Sequence, residues 1–218
     1  MHIAFIAVML FLSAQQPEIA EMLVQKVLER HVADMEVFKT LSYDKITRVD
    51  DLFEGKEKEK RKETVKITIA KLFLAGRYGY EFEPSENPNR IRVRFYPENS
   101  KAQPGPSIEP DMSFKERQLE EGLNQVINKL EGYLLIDRET LGIIGFEATL
   151  RDPLRVKVMT FRIMHIRYEQ IRIFDIWTPR KVEVTFKFDD VKWFARLFIS
   201  KTYERNVTVF ENYQRRPQ

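Results

Sequence analysis

Side chains able to do acid–base or nucleophilic chemistry are few and scattered in this 218-residue chain. The histidines stand at His2, His31 and His165. His31 lies beside an apolar helical stripe, a setting in which a lone histidine is far more often packed than a ligand. Asp50-Asp51 and Asp189-Asp190 are adjacent carboxylates at the ends of strand-like runs, where acid pairs serve turns and solubility. Glu120 and Glu121 are neighbours on a helical pattern and so project in different directions, which is no geometry for a paired-carboxylate site. There is no Gly-x-Ser-x-Gly elbow and no His-Glu-x-x-His, and Gly76 and Gly79 lack the spacing of a phosphate loop. Asn206-Val207-Thr208 has the form of a glycosylation acceptor but falls in a predicted strand. The chain has no cysteine, which excludes disulfides, thiolate metal sites and a cysteine nucleophile. The expectation is a protein that is not an enzyme and holds no cofactor or metal.

What the chain has in quantity is alternating strand. In Arg90-Ile91-Arg92-Val93-Arg94-Phe95, a period of two puts Ile91, Val93 and Phe95 on one face and three arginines on the other. Lys181 to Phe188 alternates in the same way. Such strands must bury their apolar face against something, and the elements around them say against what. The charged fraction of 32% and apolar fraction of 43% are those of a folded protein, and 218 residues suit one shared core. With 36 basic and 33 acidic residues the charge is nearly balanced, so no nucleic-acid partner is expected.

Residues 3–12 are ten consecutive apolar residues, followed by Ser13, Ala14, Gln15, Gln16 and Pro17. That is too short to span a bilayer and is the length of the apolar core of a secretory signal. Residues 1–14 are therefore read as a signal peptide and 15–218 as one domain, working in the periplasm or secreted. No later stretch is apolar enough for a transmembrane segment, which leaves at most peripheral membrane contact. After Pro17, Ile19, Leu23, Val27, Leu28, Val32, Met35 and Phe38 recur at near-helical spacing, predicting an amphipathic helix with Pro17 in its first turn.

Strands are predicted at 41–53, 65–69, 78–82 and 90–96, with the charged run 54–62 as a solvated hairpin loop and 84–89 as a turn cluster. A Pro-rich connection over 97–112 leads into a helical pattern carried by Phe114, Leu119, Leu123, Val126, Ile127 and Leu130. The second half reads as strands 133–137, 143–150, 156–163, 164–173, 182–188, 191–199 and 202–213. Their connections are short, among them Thr178-Pro179, so neighbours should pair as an antiparallel meander.

Three segments resemble the LolA-like superfamily of secreted bacterial proteins. They are Arg92-Val93-Arg94-Phe95-Tyr96-Pro97, then Gly132 to Thr140 in the form Gly-x-x-x-Ile-Asp-x-x-Thr, and Ile176-Trp177-Thr178-Pro179 as a Trp-x-Pro turn. The resemblance spans roughly residues 17–213. It implies an α+β fold: a strongly curved, open antiparallel half-barrel of about ten strands, with the N-terminal and mid-chain helices over its concave face. Relatives of known role carry lipidated or hydrophobic cargo in the periplasm, or sense envelope stress.

Sixteen Phe, eight Tyr and two Trp supply rigid apolar area for such a concave wall. Its candidate ligand-binding positions are Val65, Ile67, Ile69, Ile91, Val93, Phe95, Ile144, Phe146, Val184, Phe186, Phe188 and Trp193. Burying an acyl chain there would gain about 0.8 kcal/mol per methylene. The same residues could pack on the protein's own helices. The strand at 191–199 is apolar on both faces, which asks for cover on both sides or a dimer contact. The reading is a carrier that holds a lipid or lipoprotein acyl chain. Its alternative is an envelope-sensing or protein-interaction module with a packed interior and no ligand.

Overall fold

Period-two alternation builds one antiparallel sheet, and the apolar stripe of one helix covers part of it. The computed structural model describes residues 2–52, 56–58, 72–73, 77–98, 121–122, 124–156, 159–189 and 202–215, with the backbone alone at 2–15, 56–58, 156, 159, 188–189 and 202. Its elements are α1 (His2–Phe38), β1 (Leu41–Asp51), β2 (Lys56–Lys58), β3 (Tyr78–Glu83), β4 (Arg90–Pro97), β5 (Leu130–Asp137), β6 (Ile143–Leu150), β7 (Leu154–Val156), β8 (Met159–Ile173), β9 (Ile176–Asp189) and β10 (Thr202–Arg215). The strand order is β2-β1-β10-β9-β8-β6-β5-β4-β3, with β7 paired to β8, and the pairs are antiparallel. From β3 to β10 the path is an antiparallel meander, through short turns at β3–β4, β5–β6 and β8–β9 and longer connections at β4–β5 and β9–β10, and β1 adds to the far side of β10. Among the described residues β2 and β3 do not pair with each other, so the sheet is open.

Cross-strand register gives the sheet two unlike faces. On one, Arg94, Tyr133, Glu147, Arg167 and Glu183 stand directly opposite one another across β4, β5, β6, β8 and β9. This is a charged row in which opposite signs are neighbours over much of its length, a pairing that supports a sheet. On the other face Val93, Leu134, Phe146, Tyr168 and Val182 form the equivalent apolar row. Ala20, Val24 and Val27 of α1 pack onto it. Phe73 stands edge-on to Phe95 and Phe146, with ring centroids 4.9 and 5.6 Å away. Gly132 is required on β5, because a Cβ there would come within 1.9 Å of the Glu147 carbonyl oxygen on β6.

Several elements differ from the sequence reading. Helix α1 runs from His2 straight through Pro17 instead of beginning there. Its buried face is Ala20, Val24, Val27, His31 and Asp34, at alternating spacings of four and three, and Ile19 and Val32 of the expected stripe are exposed. Asp34 belongs inside because its Oδ2 accepts the backbone N–H of Trp177 at 3.1 Å. Within the charged run 54–62, Lys56–Lys58 is a short strand paired to β1 at the edge of the sheet. The strands expected at 156–163 and 164–173 are largely one, β8. A bulge between Phe161 and Ile163 shifts the phase of its alternation, which in sequence imitates a break. Thr178-Pro179 is not a turn but lies inside β9, beside a second bulge that accommodates a proline's missing N–H. The turn is Phe174-Asp175, where both residues have positive φ, 52° and 65°. Residues 121–122 and 124–127 are helical. The rest of the helix expected over 114–130, the strands expected at 65–69 and 191–199, and the 97–112 connection apart from Pro97 and Glu98 lie outside the described residues.

Candidate ligand cleft at the end of the sheet

Helix α1 crosses one end of the sheet, from the β3–β4 hairpin to the start of β1, where Phe38 stacks on Tyr43 at 4.7 Å. Its apolar surface is wider than its buried stripe. Ile19 and Leu23 lie off that stripe and face Phe82 at the end of β3 and Ile91 at the start of β4. With Pro84 and Pro88 of the connecting loop they bound a cleft of about 540 Å³. That volume falls in the range of about 300–1,000 Å³ usual for small-molecule sites.

The rim is positive, with Arg90, Arg92 and Arg138 set against a single glutamate, Glu83. Two loops held together by backbone hydrogen bonds place these groups. Asn87 Oδ1 accepts the Asn89 N–H at 2.9 Å and the Asn87 carbonyl accepts the Arg90 N–H at 3.0 Å, closing the β3–β4 turn. The Arg138 N–H then donates to the Asn89 carbonyl at 3.0 Å, which ties the β5–β6 turn to it. Asp137 shapes that second turn, its Oδ1 accepting from the Thr140 N–H at 2.8 Å and the Thr140 hydroxyl at 2.7 Å. Burial pushes the Asp137 carboxyl up, and the hydrogen bonds from Thr140 and Glu139 outweigh it, holding the group below its ordinary value. Arg92 is committed: it pairs with Glu83 at 2.7 Å, and its guanidinium lies 3.9 Å from the Tyr133 ring centroid. Arg90 and Arg138 are exposed.

Of the wall positions expected from sequence, Ile91 lines this cleft. Val93, Phe95 and Phe146 are buried in the core against the helix and Phe73, and Val184 packs at its margin. Phe186 is half-buried on the same face, opposite Met164, and Phe188 pairs in register with Phe161. Ile144 falls at the β5–β6 register shift, between Gly145 and Ile143, and has no cross-strand partner there. Val65, Ile67, Ile69 and Trp193 lie outside the described residues. Ile19, Leu23, Phe82, Arg90 and Arg138 were not expected at a site. Their signal was an apolar helix surface broader than one core stripe, next to a proline-bounded turn.

The charged face carries a second polar group. The Tyr133 hydroxyl donates to Glu147 Oε2 at 2.6 Å, and His165 Nε2 lies 2.8 Å from Glu147 Oε1. The Tyr133 hydrogen bond is the main cause that holds the Glu147 carboxyl below its ordinary value, while burial and the glutamate push the Tyr133 phenol up. The phenol is thereby kept protonated, and Tyr133 and His165 brace the Glu147 carboxylate from both oxygens. Among the described residues no group of three or more His, Cys, Asp or Glu is placed to hold a metal ion, and no helix is long and apolar enough to cross a membrane. Comparison with family models, curated proteins and solved structures finds no match to this chain.

Proposed function

We propose that this protein is a secreted or periplasmic binding protein that holds a lipid or lipoprotein acyl chain, and that residues 1–14 are its export signal. The observation that supports this reading is the cleft of about 540 Å³ with Ile19, Leu23, Phe82 and Ile91 on its walls. The acyl chain lies against the Ile91 end of the apolar wall, between helix and hairpin, and the interior beyond stays protein core. A chain of about ten methylenes gains at most about 8 kcal/mol on leaving water completely, which is of the same order as the cost of association. The motifs similar to the LolA-like carriers point the same way. In this reading the open sheet is a half-barrel and α1 is the element that shifts to admit cargo.

The filled interior around Val93, Phe95 and Phe146 favours a second reading, a protein-interaction module without ligand. One experiment separates them. The full chain is purified without detergent, extracted with organic solvent for mass spectrometry, and titrated with a fluorescent fatty probe. Co-purifying lipid or saturable probe binding that weakens on Ile91→Asp is expected. Absence of both lipid and probe binding contradicts the carrier.

A further inference from the structure

The rim of the cleft carries an inference that rests on the carrier reading and extends it to the polar end of the ligand. We infer that the cleft selects amphiphiles with an anionic head group, a carboxylate or a phosphate ester, held between the guanidinium groups of Arg90 and Arg138. Of the three rim arginines, Arg92 is neutralised by Glu83 and stacked on Tyr133. Arg90 and Arg138 make no ion pair among the described residues, so the cleft presents two uncommitted cations beside its apolar walls. Asp137, the strand partner of Arg90, faces its own turn, its Oδ1 accepting from the Thr140 N–H and hydroxyl, and it forms no ion pair with Arg90 among the described residues.

Both arginines are anchored through their own backbone. The Arg90 N–H donates to Asn87 and the Arg138 N–H to Asn89, so the two side chains leave neighbouring points of one two-loop clamp. Guanidinium groups match the planar or tetrahedral oxygens of carboxylates and phosphates through paired N–H donors, which a neutral hydroxyl cannot match. Because both side chains are exposed, the selection weakens with added salt.

The test uses the full chain and a neutral environment-sensitive dye displaced by dodecanoate, dodecyl phosphate or dodecanol, at low and at high salt. At low salt the anionic amphiphiles displace the dye about tenfold more tightly than the alcohol, the product of two exposed charge contacts. The gap shrinks in salt and disappears in the Arg90→Gln/Arg138→Gln variant, whose affinity for dodecanol stays that of the native chain. The better of the two anions shows whether the carboxylate or the phosphate is the preferred head. Equal affinity for dodecanol and both anions, or a preference that survives in the double variant, overturns the head-group inference and leaves the cleft as an acyl site. Failure of all three amphiphiles to displace the dye overturns the acyl site as well.

Discussion

The indole Nε1 of Trp177 donates a hydrogen bond to Thr140 Oγ1 at 3.0 Å, across 37 residues of sequence. The Thr140 hydroxyl in turn donates a hydrogen bond to Asp137 Oδ1, and the ring lies where a Cβ on Gly142 would come within 2.0 Å of it. The Ile-Asp-x-x-Thr and Trp-x-Pro segments, separate in sequence, are thus two halves of one construction: a turn closed by its own aspartate, with a tryptophan from the next hairpin set on it. The same turn presents Arg138 to the cleft, so a packing contact and a rim charge are linked.

Disturbing that construction should cost stability in two distinct amounts. Trp177→Phe removes one hydrogen bond and should lower unfolding free energy by about 1 kcal/mol. Gly142→Ala forces a methyl group into the indole and should cost about 2–3 kcal/mol. Urea denaturation measures both, and an alanine variant as stable as the native protein would contradict the contact.

His31 is buried on the sheet side of α1, its Nδ1 has no hydrogen-bond partner among the described residues, and burial lowers its pKa from 6.5 to about 4. The unfolded chain therefore takes up a proton near pH 6.5 that the native state refuses until about pH 4. Stability is full above about pH 6.5 and falls as the pH drops through that window, by about 3 kcal/mol in total. In His31→Leu this part of the slope should vanish from denaturation curves measured between pH 7 and 4. An unchanged slope would mean that the imidazole is not buried in its neutral form.

The β8–β9 hairpin turns through Phe174 and Asp175, both left-handed, the geometry that Asn-Gly favours and a bulky side chain does not. Phe174→Asn with Asp175→Gly should raise stability by about 1 kcal/mol, or about 2–4 °C in Tm, because less strain is stored at the tip. The change gives up two exposed contacts, Phe174 with Arg215 at 5.0 Å and Asp175 Oδ1 with Arg172 Nη2 at 3.3 Å, and exposed pairs of this kind matter less. Calorimetry showing a lower Tm would contradict the turn assignment.

Asp50 receives Arg205 Nη2 at 2.8 Å and Arg48 Nε at 2.6 Å, and the hydrogen bond from Arg205, then that from Arg48, holds its carboxyl below the ordinary value. An acid with a lowered native pKa stabilises above its unfolded pKa, and the gain is lost as pH falls through the lowered one. Asp50→Asn should cost about 2 kcal/mol at pH 7 and flatten the acid limb of the stability profile. A neutral effect at pH 7 would show that the pair adds nothing to the β1–β10 contact.

The meander was legible because its strands alternate: Arg90 to Phe95 and the run from Lys181 to Phe188 fall in strands, with Val93 and Phe95 buried, Arg90 and Arg94 exposed, and Val182 and Val184 packed on the core. Legibility failed where tertiary structure overrules local pattern. The bulge at Phe161–Ile163 shifts the alternation and split one strand into two. Pro179 suggested a turn because proline commonly marks one, yet it sits beside a bulge whose pairing partner is 9 residues away, at Gln170. On α1 the apolar stripe was real, but Asp34 reaches a strand-end N–H that no helical wheel shows, and the buried face turned with it. The cleft was the least legible part. Its walls come from a helix flank, two strand ends and a loop, and only the fold brings Leu23, Ile91 and Arg138 together.

Photo-crosslinking with a diazirine-bearing fatty acid, followed by peptide mapping of the full chain, tests the cleft most directly. Saturable labelling, competed by dodecanoate, is expected on the peptides that carry Ile19 and Leu23 and those that carry Phe82 and Ile91. Labelling that is absent, is not competed, or falls on peptides remote from these two would contradict the cleft as the acyl site.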